Sequence, residues 1–177
     1  MLAAILETVP TEQLVVADDV TLRDIGPGDV RVKIAHSGVC HSDLSVMNGT
    51  IPQEPPAVLG HEGAGVVVDV GDGVTHVVPG DHIIIAFSPP CGVCPFCTGR
   101  HQPNLCMTGL VSMSTNVQFR QGDRVVGSMT GCGTFAEETI VPGIAAIKID
   151  DDVPLDVAAL IGCGVTTGVG AALNTAQ

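Results

Sequence analysis

Residues 60–74 read GHEGAGVVVDVGDGV, a run of valines enclosed by glycines. Consecutive β-branched residues favour an extended strand, and the glycines on either side favour sharp turns or close backbone contacts. Similar apolar runs occur at residues 30–39, 82–87 and 137–142. Because 22 glycines and 12 prolines separate such runs, the sequence predicts a mainly β domain of many short strands with short helices.

Length and composition fit one domain with an aliphatic core. The chain has 177 residues, of which 45% are hydrophobic, but only 2% are aromatic, and Trp and Tyr are absent. A domain of this size buries roughly 70% of the surface of its unfolded chain. Val, Ile, Leu and Ala must therefore fill its interior.

Charge and hydropathy argue against binding to nucleic acid and against a membrane span. The chain carries 7 basic and 19 acidic residues, a formal net charge of −12, so we expect it to repel nucleic acid. No apolar stretch approaches eighteen residues, which argues against a membrane span. Met1 is followed by only five apolar residues before Glu7, which does not resemble a secretory signal, so we expect a cytoplasmic protein.

Residues 91–106 read CGVCPFCTGRHQPNLC and contain four closely spaced cysteines. Four thiolates with this spacing can converge on one tetrahedral Zn²⁺ at about 2.3 Å each, which closes the coordination sphere and gives a structural site. Disulfides or a redox pair are the alternatives, and a cytosolic chain rarely keeps disulfides. The predicted structural ligands are Cys91, Cys94, Cys97 and Cys106.

A sparser pattern consists of Cys40, His61 and Cys163, each set among glycines. Two sulfurs and one imidazole leave the fourth zinc position for water or substrate, as a catalytic zinc requires. From spacing alone, two buried structural cysteines and a hydrogen-bonded core histidine are the better explanation of the pattern. Their neighbours, GVCHSD at 38–43 and GCGVTTG at 162–168, favour the metal site.

With these neighbours the sequence resembles the zinc-dependent alcohol dehydrogenases of the medium-chain dehydrogenase/reductase superfamily. The resemblance covers essentially the whole chain in order, and it implies a GroES-like β-barrel catalytic domain with two Zn²⁺ ions, one catalytic and one structural. The GHExxGxxxxxGxxV signature of that family is matched in full by Gly60, His61, Glu62, Gly65, Gly71 and Val74.

The resemblance also implies how the chain is divided. Residues 1–160 would form the GroES-like catalytic domain, with the structural zinc loop at about 91–106. Residues 161–177 would carry the last catalytic ligand and the start of the helix that connects to a Rossmann domain. That α/β domain, which would bind the nicotinamide cofactor, is absent from this chain, which stops at Gln177.

The resemblance to this family also implies roles for three residues near the catalytic ligands. Ser42 matches the hydroxyl that takes the alcohol proton, and Asp43 matches the carboxylate that hydrogen-bonds the second ring nitrogen of the histidine ligand. Glu62 matches a glutamate close behind the metal, where a structural or ligand-exchange role is favoured over a catalytic one. For Ser42 and Asp43, the alternatives are a turn residue and a turn cap.

Two further residues are expected to contact the cofactor. His41 stands where several members have an arginine that binds the pyrophosphate, and Thr167 matches a residue lying against the nicotinamide ring. The proton relay would end at Ser45 or at His41. NAD is the default over NADP, because the discriminating residue would lie in the Rossmann segment.

The sequence therefore predicts a zinc-dependent, NAD(P)-linked dehydrogenase that interconverts alcohols with aldehydes or ketones through a zinc alkoxide and hydride transfer. The complete enzyme would be a homodimer or homotetramer, and residues 1–177 alone would be inactive. Two alternatives stay open. One is a dehydrogenase of hydroxymethyl or similar thiol-adduct alcohols, and the other is a non-catalytic zinc-binding module if the natural chain ends here.

Overall fold

The computed structural model describes residues 1–176, except the side chain of residue 112. Short strands and helices alternate along this part of the chain. In chain order they are β1 (Ala3–Leu6), β2 (Val15–Ala17), β3 (Val20–Leu22), β4 (Asp29–Gly38), α1 (His41–Met47), β5 (Ala57–Val58), β6 (Glu62–Val70), β7 (His82–Ile85), α2 (Pro95–Thr98), α3 (Met107–Ser114), β8 (Phe119–Gln121), β9 (Arg124–Ser128), β10 (Glu138–Pro142), β11 (Ala146–Lys148), α4 (Leu155–Ala158) and α5 (Gly164–Asn174).

The strands form two sheets that curl into half-barrels. One sheet has the order β2-β1-β5-β9-β8-β3, and the other has the order β10-β4-β6-β7-β11. Strands β5 and β9 pair in parallel, whereas the other ladders are antiparallel. The predicted mainly β architecture with short helices is confirmed.

The glycine-flanked run at 60–74 becomes the central strand of the five-stranded sheet. Strand β6 pairs with β4 on one side and with β7 on the other. A Cβ atom on Gly65 would collide with the carbonyl oxygen of Lys33 on β4, next to an irregularity in the register between Ile34 and His36. Glycine is needed there because two backbones approach closely.

The interior is aliphatic, as the composition predicts. The inner face of the five-stranded sheet consists of side chains that are at most 2% exposed: Val30, Val32, Val67, Ile83 and Ile85. Burying one such side chain contributes about 1.5–3 kcal/mol to folding. This packing fixes β6, and with it the residues that precede the strand.

Within residues 1–176, no single helix is long and apolar enough to cross a membrane. Among these residues, one pair of helical segments, Leu155–Gly162 and Gly164–Asn174, reaches the necessary length and hydropathy when both parts are taken together, and it is bent by 54°. Gln177, where the predicted second segment ends, lies outside the described residues.

Candidate metal centres and active site

Three distant segments bring four metal-binding side chains together. Cys40 directly precedes α1, Cys163 directly precedes α5, and His61 directly precedes Glu62, the first residue of β6. One ligand atom from each of these four residues lies within 4.8 Å of all the others. The structure thus unites the three sequence-predicted catalytic ligands and adds the Glu62 carboxylate to them.

The sequence CHSD at 40–43 forms the first turn of α1 and orients Cys40. The Cys40 sulfur accepts a hydrogen bond from the Ser42 backbone N–H at 3.5 Å, and the Asp43 carboxylate accepts one from the Cys40 N–H at 2.9 Å. This reciprocal arrangement is a capping box, in which a cysteine takes the place usually held by serine or threonine. The Ser42 hydroxyl oxygen lies 3.6 Å from the Cys40 sulfur, beside the cluster.

Asp43 faces His61 from inside the protein. Its side chain is buried, Oδ1 accepts a hydrogen bond from the Gly60 N–H at 3.1 Å, and the same oxygen lies 3.6 Å from His61 Nδ1. Burial alone would lower the pKa of His61, but Asp43 and then Cys40 outweigh it, so the pKa is raised. With Nδ1 turned toward the carboxylate, Nε2 is left for a metal.

The cluster is crowded with groups that become anionic. Backbone N–H donation from Ser42 lowers the pKa of Cys40, whereas burial, and then nearby Cys40 and Glu62, raise the pKa of Cys163 to about 11. Two thiolates and a carboxylate repel one another at this range unless a cation lies between them. Two sulfurs and an imidazole suit a borderline-soft ion, so the donor set fits Zn²⁺.

The four cysteines of residues 91–106 also converge. Their sulfurs all lie within 4.8 Å of one another, with Cys94 Sγ 3.5 Å from Cys97 Sγ and 3.8 Å from Cys106 Sγ. Ligands at about 2.3 Å in a tetrahedron are about 3.8 Å apart, whereas bonded disulfide sulfurs are about 2.05 Å apart. The spacing therefore fits a tetrahedral zinc site and does not fit a disulfide.

Backbone donors in this loop favour the thiolates of Cys91 and Cys106, whereas burial raises the pKa of Cys97 to about 12. The N–H groups of Val93 and Cys94 lower the pKa of Cys91 to about 6, and those of Cys91 and Gly109 lower the pKa of Cys106. Cys106 also caps α3 through its contact with the Gly109 N–H at 3.3 Å. Cys106 is therefore both the N-cap of α3 and a proposed zinc ligand.

The two predicted cofactor residues lie on the surface near the ligands. His41 is exposed on α1, and its Nδ1 lies 3.3 Å from the Ser45 hydroxyl oxygen. Thr167 is exposed on α5 and lines, together with Cys163, a cleft of about 400 Å³. Cys132 lies outside both metal clusters; burial raises the pKa of its thiol to about 12.

A second cavity, which sequence reasoning missed, is also lined by Phe87, a residue that borders the cleft with Cys163 and Thr167 as well. The Phe87 ring packs edge-on against the His61 ring at 5.6 Å and also faces this cavity, whose volume is about 200 Å³. Its lining comes from separate segments with no shared motif, so no local pattern marks it. The main apolar residues are Val46, Ile51, Phe87, Leu110, Met113 and Met129.

Comparisons with known proteins agree with this geometry. The family described as "Alcohol dehydrogenase GroES-like domain" matches residues 26–151. The S-(hydroxymethyl)glutathione dehydrogenase of Photobacterium damsela subsp. piscicida is 45% identical over 165 residues, which cover 87% of this chain and 44% of that protein. The chain thus spans less than half the length of this curated relative.

Two solved structures share the fold. A protein described as an alcohol dehydrogenase zinc-binding domain protein, from Burkholderia ambifaria, superposes with a TM-score of 0.88 at 29% identity, over 98% of this chain and 48% of its own. Benzyl alcohol dehydrogenase from Acinetobacter calcoaceticus gives 0.83 at 28% identity, over 98% and 47%. The family model, these likenesses and the converging cysteine and histidine ligands show that the chain belongs to the alcohol dehydrogenase GroES-like domain family, among the zinc-dependent alcohol dehydrogenases.

Proposed function

We propose that the chain is the catalytic part of an NAD(P)-linked dehydrogenase that interconverts alcohols with aldehydes or ketones. The observation that carries this proposal is the convergence of Cys40, His61, Glu62 and Cys163, with Asp43 directly behind the histidine. We also propose one zinc ion in this cluster and a second in the four-cysteine loop.

The side chains around the cluster suit removal of a proton from an alcohol. A zinc ion held there would supply a Lewis acid that lowers the pKa of an alcohol hydroxyl. The Ser42 hydroxyl, 3.6 Å from the Cys40 sulfur, can accept that proton and donate its own onward. The Asp43 carboxylate is held by the N–H groups of Cys40 and Gly60 and lies 3.6 Å from His61 Nδ1, so it is placed to orient the His61 ring once a metal is bound.

The nicotinamide cofactor is a further proposal. His41 would contact the pyrophosphate and Thr167 the nicotinamide ring; their exposed positions beside Cys40 and Cys163 support both roles. The main cofactor site would belong to a Rossmann domain beyond residues 161–177, with residues 1–160 as the catalytic domain. NAD is the first candidate, with NADP as the alternative.

A thiol-adduct alcohol is the second candidate substrate. The relative from Photobacterium is named for S-(hydroxymethyl)glutathione, which supports this candidate. A glutathione conjugate carries carboxylates, however, and its recognition calls for cationic partners. The residues that line the cavity beside Phe87 are uncharged, so the cavity favours a simple alcohol with an apolar group.

The test uses the full-length protein and a Cys163→Ser variant. We expect about two zinc ions per wild-type chain and reduction of NAD or NADP with benzyl alcohol, and about one zinc and no turnover for the variant. A hydroxymethyl thiol adduct should be a poorer substrate than benzyl alcohol. A wild-type protein that binds zinc at both sites but reduces neither cofactor with any of these alcohols would refute the proposed function.

A further inference from the structure

One wall of the cavity beside Phe87 is a turn in an unfavourable backbone conformation. Met129 and Thr130 line the cavity directly after β9. Thr130 has φ 49° and ψ 21°, which lies in the left-handed region, and Gly131 follows at φ 73°. A β-branched residue rarely adopts this conformation, so surrounding structure must hold the turn.

The buried amide of Gln118 holds this turn from both ends. Gln118 is 0% exposed. Its Nε2 donates to the carbonyl oxygens of Gly131 at 3.1 Å and Cys132 at 3.2 Å, on the far side of Thr130. Its Oε1 accepts a hydrogen bond from the Ser128 hydroxyl at 3.0 Å, on the near side. One side chain thus bonds to residues on both sides of the left-handed position.

The turn also contacts Met113, another residue that lines the cavity. Gly131 approaches the backbone carbonyl of Met113 so closely that a Cβ atom would collide with it. Met113 is fully buried at the end of α3 and lines the same cavity. A shift of the turn would therefore change the distance between the side chains of Met113 and Met129, which both line the cavity.

Two other side chains donate hydrogen bonds to the same carbonyl groups as Gln118, so folding does not depend on the Gln118 amide alone. The Gly131 carbonyl also accepts from Asn116 Nδ2 at 2.8 Å, and the Cys132 carbonyl also accepts from Thr139 Oγ1 at 2.6 Å. Both carbonyl groups would stay paired if residue 118 lost its amide. Replacing Gln118 should therefore loosen the turn without leaving these buried acceptors unsatisfied.

We propose that Gln118 is a positioning residue that holds the Met129–Thr130 wall and so determines which uncharged, apolar alcohols fit beside His61 and Phe87. The inference of alcohol selectivity rests on the proposed function, whereas the effect on cavity shape does not. Gln118 lies outside the two metal clusters and acts through the turn.

Three variants separate this role from a general effect on stability. Gln118→Met keeps the length of the side chain and removes its hydrogen bonds. Ser128→Ala is milder, because it frees only Oε1 of the amide. The control is Gln121→Met, the same substitution in β8 at a glutamine whose amide bonds to exposed Asp19 at 2.8 Å. All three should keep the metal clusters intact.

The first measurement is selectivity in the full-length protein, as the ratio of kcat/KM for benzyl alcohol to that for ethanol. We expect Gln118→Met to change this ratio about tenfold, the size of a misfit of one methylene in an apolar pocket. Ser128→Ala should change it in the same direction by less, and Gln121→Met should leave it unchanged. An equal ratio in wild type and Gln118→Met would overturn the proposal.

The second measurement needs no turnover. Toluene is an uncharged probe of the cavity, and ¹³C-methyl-labelled methionines report on Met113 and Met129 in the full-length protein. We expect saturable shifts of both methyl signals in wild type and Gln121→Met, with about tenfold weaker toluene binding in Gln118→Met. Unchanged binding would refute the positioning role. If toluene binding depends on Gln118 but no alcohol is oxidised, the positioning role stands and the proposed function fails.

Discussion

At the scale of single residues, Asp43 connects two of the segments that carry the proposed metal ligands. Its two oxygens accept the N–H groups of Cys40 and Gly60, which belong to the segments that carry the first two proposed ligands. The same carboxylate faces His61 Nδ1 at 3.6 Å. One buried side chain therefore sets the relative positions of a sulfur and an imidazole.

We expect Asp43→Asn to impair both folding and metal binding. Asparagine has one carbonyl oxygen, so its NH₂ group would face a backbone N–H, and an unpaired buried donor costs about 1–3 kcal/mol. Loss of the carboxylate behind a ligating histidine lowers metal affinity about 10- to 100-fold. Urea unfolding and competition with a chelator measure the two effects.

The matched control for this substitution is Asp123→Asn, in the exposed turn between β8 and β9. It should leave both the free energy of unfolding and the zinc affinity at wild-type values. If Asp43→Asn behaves like this control, Asp43 does not hold His61.

At the scale of elements, the four-cysteine loop and helix α3 depend on the same residue. Cys106 accepts hydrogen bonds from the N–H groups of Cys91 at 3.2 Å and Gly109 at 3.3 Å, and it begins α3. We expect Cys106→Ser to remove one zinc and to lower the free energy of unfolding by at least about 3 kcal/mol, since structural zinc contributes directly to folding.

Elemental analysis and urea unfolding of Cys106→Ser, compared with Cys163→Ser, check this prediction. The second variant should lose the other zinc with a smaller change in stability, because the remaining contacts of β6 and α1 still hold that site. A Cys106→Ser protein that retains two zinc ions would contradict the assignment of the loop.

The pairing of β4 with β6 depends on the absence of a side chain at position 65. A Cβ atom on Gly65 would strike the Lys33 carbonyl, so Gly65→Ala must force the strands apart. We expect a loss of about 3 kcal/mol, as for overpacking of a tight core. The control Gly170→Ala, with open space around its Cβ position in α5, should gain about 0.5–1 kcal/mol. Equal thermal midpoints for Gly65→Ala and Gly170→Ala would contradict the claim that the close approach of β4 and β6 requires glycine at position 65.

The same elements show what the sequence could predict. Closely spaced cysteines indicate a metal-binding loop from a short stretch of sequence, and the glycine-flanked valines of residues 60–74 indicate a strand. Both features could therefore be predicted from the sequence. The roles of Gln118 and Phe87 could not, because they arise only when β9, α3 and the 129–133 turn pack together. A single buried amide or ring has no sequence period that distinguishes it from an ordinary residue.

At the scale of the whole molecule, α5 is the longest described helix, and none of its described residues is buried. Val165, Val169 and Leu173 follow one face of the helix and are 45%, 51% and 78% exposed. An apolar stripe of this kind usually packs against another surface. We propose on this basis that a further part of the full-length protein packs against this face of α5.

We therefore expect residues 1–177, produced alone, to bind zinc but to show no measurable NAD-dependent oxidation of benzyl alcohol. Holding the nicotinamide next to the substrate supplies about 7–11 kcal/mol of barrier lowering, and that effect would be missing. Light scattering should show concentration-dependent association through the α5 stripe. Turnover by this fragment at the rate of the full-length protein would contradict the assignment of the cofactor site.

The separation of the ligands along the chain has a consequence for biosynthesis. The loop cysteines are complete once Cys106 has left the ribosome, whereas the other cluster must wait for Cys163, 57 residues later. At about 5–20 residues per second, this delay is about 3–11 s. If both sites bind zinc as proposed, the loop of the nascent chain would be ready for its metal before Cys40 has its partner Cys163, and translation itself would order the loading of the two sites in time.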